Sequence, residues 1–234
     1  MNTTRREFIV KGSMVVGAAM SGMGLGGCSL SPKKASAGEI TFSESNCGAE
    51  KSHEKPILIV YASYCGSTGG VAEAIAKTMC EKGVKCDVRL AKNCDRIEGY
   101  RAVVVGSAVR AASWWPEALD FVSKNEQTLA RMPVAYFLTC LALYKDNPEQ
   151  RKIAIGYFDP VLKASPGVKP VDLGCFAGAL DYSKIGFMYR TVMKSKMKDK
   201  GVPEGDFRDW AAIKAWAEAV LPDLTEHTEA QGKS

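Results

Sequence analysis

Six consecutive residues, Ser63, Tyr64, Cys65, Gly66, Ser67 and Thr68, are the part of this chain best suited to chemistry. They follow an unbroken apolar run, Ile57 to Ala62, and precede a helix predicted to open at about Gly69. A buried strand, a short loop of hydroxyls and glycine, and a helix start together make an anion cradle. Loop amides and hydroxyls converge on a phosphate, and the positive end of the helix dipole faces it. The spacing lacks the Gly-Lys-Ser/Thr that closes a nucleoside triphosphate loop and lacks the G-x-G-x-x-G dinucleotide fingerprint. The same residues also describe an ordinary polar strand–helix turn.

Little else in the chain is equipped for catalysis. The two histidines, His53 and His227, fall near the ends, so no Ser-His-Asp or Cys-His arrangement is available to the core. Cysteines stand at 28, 47, 65, 80, 86, 94, 140 and 175 without a C-x-x-C pair. Neither a thioredoxin-type site nor a usual zinc or iron–sulfur spacing is present, and no metal site is expected. The spacing assigns no disulfide. A bound phosphorylated cofactor would supply the reactivity that the side chains lack.

The elements that must hold this loop alternate. Ile57–Ala62 reads as a strand buried on both faces. Val71, Ile75 and Met79 share one face of the next helix, which should stop near Gly83. Val84, Cys86, Val88 and Leu90 alternate as a second strand; Ala102–Gly106 is a third, Val134–Leu138 a fourth, and 169–176 contains a fifth. Pro116 and Pro148 stand at predicted helix starts, and Ile213, Trp216, Ala217 and Val220 form the inner face of a last helix over Trp210–Leu221. Strands and helices in this alternation predict an α/β fold, a doubly wound five-stranded parallel sheet. With strand order 2-1-3-4-5, loops 63–69, 107–115 and 139–147 converge at the switch point beyond the strands' carboxyl ends. There Ser107, Ala108 and Val109 allow close backbone approach, and Arg110 can face a ring carbonyl or an acidic substrate, or lie in solvent. Trp114, with Trp115 beside it, offers a flat ring for stacking or packs at the helix start. Thr139, Cys140, Leu141 and Ala142 offer backbone donors, with Tyr144 close behind. Cys65 and Cys140, on facing loops, are either a redox pair or plain thiols.

The loop Ser63-x-Cys65-Gly66-Ser67-Thr68 resembles the T-x-T-G-x-T phosphate loop of flavodoxins, with Ser63 and Cys65 where those proteins usually carry threonine. Over residues 56–221 the chain resembles the flavodoxin-like family that includes menaquinone-dependent protoporphyrinogen oxidase. The matching stretches are Ile59–Ser63 through Gly66–Thr68, Val104–Arg110, Pro116–Phe121, Phe176–Tyr182 and Pro203–Trp210. The resemblance implies a flavodoxin-like fold with a helical insert before the last helix. It also implies bound FMN, its phosphate on the first loop and its isoalloxazine between the second and third.

The ends carry an address. Thr4 to Lys11 resembles a twin-arginine export motif, and Leu25-Gly26-Gly27-Cys28 resembles a lipobox. Residues 1–28 are thus expected to be a signal, with lipid attached at Cys28 and the protein held on the outer face of the cytoplasmic membrane; an uncleaved N-terminal anchor is the alternative. Twin-arginine transport moves folded proteins, which suits one that acquires its cofactor before export. Residues 29–55 are expected to be a flexible tether, 56–221 the FMN-binding domain, and 222–234 a polar tail.

Loss of residues 1–28 changes the net charge from +5 to +3, and residues 182–200 alone carry +5. In that insert Ile185, Met188, Tyr189, Val192 and Met193 recur at helical spacing among lysines, a pattern that suits either an anionic membrane surface or a helix that simply covers the domain. A diffusing flavodoxin is typically acidic; this basic patch points instead to membrane contact. The expected function is an exported, membrane-tethered FMN oxidoreductase exchanging electrons with quinone or a redox protein partner. The alternatives are a flavodoxin-type electron carrier, a protoporphyrinogen oxidase, and a non-catalytic binding lipoprotein. No nucleic-acid partner is expected.

Overall fold

Large or apolar side chains at every position of Ile57–Ala62, all buried, leave that strand no face for water, so it lies at the centre of a sheet covered on both sides. The computed structural model, which describes residues 40, 42–48 and 54–230, places it there. The main sheet comprises β1 (Ser45–Cys47), β2 (Ile57–Ala62), β3 (Cys86–Leu90), β4 (Ala102–Arg110), β5 (Ser113–Trp114), β6 (Val134–Cys140) and β7 (Leu173–Ala177). Its order is β1-β3-β2-β4-β6-β7, with β5 turned back on β4. Five of its strands, β3, β2, β4, β6 and β7, run parallel in the 2-1-3-4-5 order. A small second sheet pairs β8 (Ala179–Leu180) with β9 (Gly205–Asp206).

Helices cover both faces. α1 (Ser67–Glu81) buries Val71, Ile75 and Met79 as the periodicity predicts, and stops just before Gly83. α2 (Pro116–Lys124) and α4 (Pro148–Gly156) begin at their prolines, where the missing amide has no helical partner to lose. Short α3 (Glu126–Leu129) and α5 (Asp159–Ala164) complete one face, and α6 (Phe187–Asp199) lies in the insert. α7 (Trp210–Ala230) packs beside α1 on the other. The insert forms a satellite core of Leu180, Ile185, Met197 and Val202, against which Cys65, Leu141, Tyr189 and Met193 pack.

The structure corrects several expectations. The third strand runs on to Arg110 and returns as a hairpin through Ala111 and Ala112, both at positive φ, where 107–115 was expected to be loop. Left-handed alanines each cost about 1 kcal/mol, and the hairpin holds them. The polar tail expected from 222 is helix to Ala230, because Leu224 extends the buried stripe of Ile213, Ala217 and Val220. The tether expected to reach residue 55 is partly folded: Phe42 packs on the core, and Ser45–Cys47 adds an antiparallel edge strand to β3. Tyr61 Oη donates to Ser43 O at 2.9 Å, and Leu90 N donates to Glu44 Oε1 at 3.0 Å. The expected signal and Cys28 lie outside the described residues. No helix among the described residues is long and apolar enough to cross a membrane.

Cys47 and Cys80 form a disulfide that joins this edge strand to the end of α1. By chain entropy a loop of this length contributes about 4 kcal/mol. Replacing both cysteines by serine should lower the urea unfolding free energy by about that amount; an unchanged transition midpoint would mean that the cross-link does not form.

Candidate functional site

A parallel sheet ends all of its strands on one edge, and here the loops that leave that edge enclose a cleft of about 120 Å³ that opens to solvent. Its floor is the loop after β2. Gly66 adopts φ +84 just before α1, a conformation that costs glycine little, and its amide donates to Ser63 Oγ at 3.0 Å. The first amides of a helix have no carbonyl partner within it, so the start of α1 presents N–H groups beside Ser67 at the cleft. No acidic side chain stands in that first turn.

Two contacts fix this loop. The buried hydroxyls of Thr68 and Thr139 are hydrogen-bonded at 2.8 Å, tying the start of α1 to the end of β6. From the far end of the chain, Arg208 Nη1 donates to Ser67 O at 3.3 Å, while Nε and Nη2 grip Asp206 at 2.8 and 2.5 Å. The guanidinium lies 4.4 Å from the Trp210 ring centroid. It passes so close to α1 that a Cβ at Gly70 would meet Nη1 at 2.5 Å, so a larger residue there would push the guanidinium aside.

The walls come from three other segments. β4 supplies Ala108, Val109 and Arg110, and Trp115 follows its hairpin; β6 and the turn after it supply Thr139, Cys140 and Leu141. Gly178, Ala179, Leu180, Asp181, Ile185, Tyr189 and Met193 close the remaining side. At the rim, the Tyr64 and Trp115 rings lie 5.1 Å apart and Tyr64 and Tyr189 5.7 Å apart. The Arg110 guanidinium stands among the three, 5.1 to 5.9 Å from their centroids. Each such cation–π contact contributes about 0.5–1 kcal/mol at an exposed site. The Asp181 carboxyl is held below the usual range chiefly by the Ser183 hydroxyl, with Lys184 assisting.

Of the residues expected at the site, Ser63, Tyr64, Cys65, Ser67, Ala108, Val109, Arg110, Thr139, Cys140 and Leu141 meet at the cleft. Trp114 does not: it is 2% exposed and packs edge-on against Tyr136 and Phe158 in the core. The return of β5 along β4 turns Trp114 inward and Trp115 outward, because successive side chains of a strand alternate. Ser107 is buried and acts one step back, its Oγ accepting from Trp115 N at 2.8 Å. Gly66 and Thr68 shape the loop from behind, and Ala142 packs on the core. The wall from Gly178 to Met193 went unforeseen as part of the site. The carboxyl end of the fifth strand was its available signal, since Ala177 pairs with Cys140.

The arrangement fits a phosphorylated planar ligand. Hydroxyls and helix-start amides face one end of the cleft, small residues line its middle, and aromatic rings stand at its rim. A Cβ at Gly178 would project into the space between Ser67 Oγ, Thr139 Cβ and Cys140 N, 3.8 to 3.9 Å from each, so the glycine keeps that cradle open. No cluster suited to a metal ion occurs among the described residues.

Comparison with known proteins agrees with this geometry. The flavodoxin domain family matches residues 58–205. A protoporphyrinogen IX dehydrogenase [quinone] of Leishmania major is 29% identical over 175 residues, covering 70% of this chain and 75% of its own. The protein of the same name from Escherichia coli K12 is 28% identical over 174 residues, covering 70% and 93%. Among solved structures, rubredoxin oxygen:oxidoreductase from Desulfovibrio gigas aligns with a TM-score of 0.44 at 14% identity, over 77% of this chain and 38% of that longer one.

The environment of the cleft's cysteines disfavours their thiolates. Cys65 and Cys140 are free, and burial pushes each thiol up to about 11. The thiolate is the reactive form, so a raised value means little of it at neutral pH. Alkylation of Cys65 by iodoacetamide should therefore keep accelerating with pH well past the point where an ordinary cysteine levels off. A plateau near neutrality would reveal an activated thiol and reopen the redox-pair reading.

Proposed function

The chain belongs to the flavodoxin domain family, and from that premise we propose that it is an FMN-dependent oxidoreductase, exported and tethered to a membrane, that exchanges electrons with a quinone. The observation that carries this reading is the convergence, on one sheet edge, of an anion-binding helix start and a ring-lined slot. FMN, when bound, supplies hydride or single-electron exchange, for which no side chain here is equipped.

The chain's own residues have separable tasks. Ser63, Ser67 and the first amides of α1 hold the phosphate without a lysine. Thr68, through Thr139, and Arg208, through Ser67 O, keep that loop in place. Arg110 sets a cation at the rim, suited to a ring carbonyl or to an acidic group on a substrate. The insert, through Ile185, Tyr189 and Met193, limits water on the open side.

Export and tethering draw support from two features. A Cys47–Cys80 disulfide suits an oxidising compartment. The twin-arginine and lipobox resemblances supply the address. The quinone follows from the names of both relatives, which also favour protoporphyrinogen IX as a second reading for the electron donor. An address on the outer face weighs against that donor.

Replacing Ser67 by alanine should weaken FMN binding about tenfold or more, the ordinary worth of a hydrogen bond to a charged group. Thr68→Ala should weaken it too, by loosening the loop. Flavin fluorescence quenching reads both, and unchanged affinity would count against the cradle. Reoxidation of the chemically reduced protein by a soluble naphthoquinone, without added partner protein, should be fast; reoxidation only by a redox protein would identify a carrier.

A further inference from the structure

The insert helix presents two unlike faces. Tyr189 and Met193 line the cleft, and Met197 is buried in the satellite core beneath. On the other side Phe187 is 80% exposed, Met188 86% and Val192 48%. Among the described residues no other large apolar side chain stands so far into water as the first two. They are adjacent, at the tip of α6, and Val192 follows Met188 one turn later on the same side.

Cations run the length of this helix, from Lys184 before its start to Lys196 and Lys198 in its last turn. Lys184, Arg190, Lys194, Lys196, Lys198 and Lys200 are offset only by Asp199. Arg190 is occupied with the carbonyls of Ile185 and Ser183, and Lys194 lies over the Tyr182 ring. Lys196, Lys198 and Lys200 have no carboxylate within ion-pair distance among the described residues. Apolar side chains at the start of α6 and unpaired lysines at its end suit a helix lying along the boundary of an anionic bilayer, apolar beneath and phosphate-rich above.

Ser43 and Glu44 contact the carboxyl ends of β2 and β3 through Tyr61 and Leu90, so these two residues lie at the sheet edge that bears the cleft.

We propose that α6 docks on an anionic lipid bilayer, with Phe187 and Met188 entering the headgroup boundary and Lys196, Lys198 and Lys200 meeting lipid phosphates. The cleft wall and the docking surface are two sides of one helix, so docking sets the cleft at the membrane, where an apolar electron acceptor dissolves. That consequence rests on the oxidoreductase reading; the docking itself does not.

The test uses the full chain and Met188 as its own reporter. Oxidation of Met188 by peroxide, followed by peptide mass, is compared in solution, on phosphatidylcholine vesicles and on vesicles containing phosphatidylglycerol. Buried Met197 serves as the control that the helix stays folded. Severalfold slower oxidation of Met188 on the anionic vesicles is expected, with the rate restored when Lys196, Lys198 and Lys200 are replaced by glutamine. Equal oxidation on vesicles with which the chain has sedimented would overturn docking and leave any anchoring to the N-terminal segment. Protection that grows with protein concentration without vesicles would overturn it in favour of a second copy of the chain. Flavin content measured on the same samples separates the two readings: Met188 shielded in a chain that holds no FMN leaves the docking and removes the oxidoreductase.

Discussion

The whole arrangement depends on a central strand that can offer nothing to solvent. Every side chain of β2 is buried, so its interactions serve cohesion alone and its chemistry is displaced to the residues just beyond its carboxyl end. Parallel pairing with β3 and β4 then obliges the neighbouring strands to finish on the same edge. The loops after β2, β4, β6 and β7 meet there because strand direction leaves them no other place. The Thr68–Thr139 hydrogen bond completes this constraint. It ties the start of α1, after β2, to the end of β6 across the intervening β4, and fixes the rim from which α1 faces the cleft.

The loop at that rim is a site without a strong base, nucleophile or metal ligand. Its cysteines are held protonated by burial, and its hydroxyls and amides suit the binding of charge better than the transfer of protons. Such a cleft becomes reactive only by what it holds. The residues around it are accordingly placed for position: Arg208 reaches across 141 residues of sequence to hold Ser67, and Gly70 leaves room for it.

Much of this was legible in the sequence because it rests on local signals. An apolar run, a proline at a helix start and a hydroxyl-rich loop each state their role within a few residues, and the alternation of strands and helices implies the sheet order. What escaped was set by tertiary contact. Trp114 and Trp115 are identical in type and adjacent, and only the return of β5 along β4 decides that Trp115 reaches the cleft. Met188 and Val192 share a helical spacing with Tyr189 and Met193, yet the position of the cleft turns the first pair outward and the second inward. The strand Ser45–Cys47 is too short and polar to announce itself; its disulfide and the backbone partner offered by the edge of β3 keep it folded. Composition alone suggested a polar tail beyond Leu221, but one leucine at the right turn, Leu224, extends the helix.

The central claim is that this cleft holds FMN. Purifying the full chain from a flavin-replete host, recording its visible spectrum and weighing the released chromophore tests it most directly. The predicted result is the absorption of an oxidised flavin and a released mass equal to that of FMN, about one per chain. A colourless protein that also fails to take up added FMN would contradict the account and leave the fold as a binding module without redox chemistry.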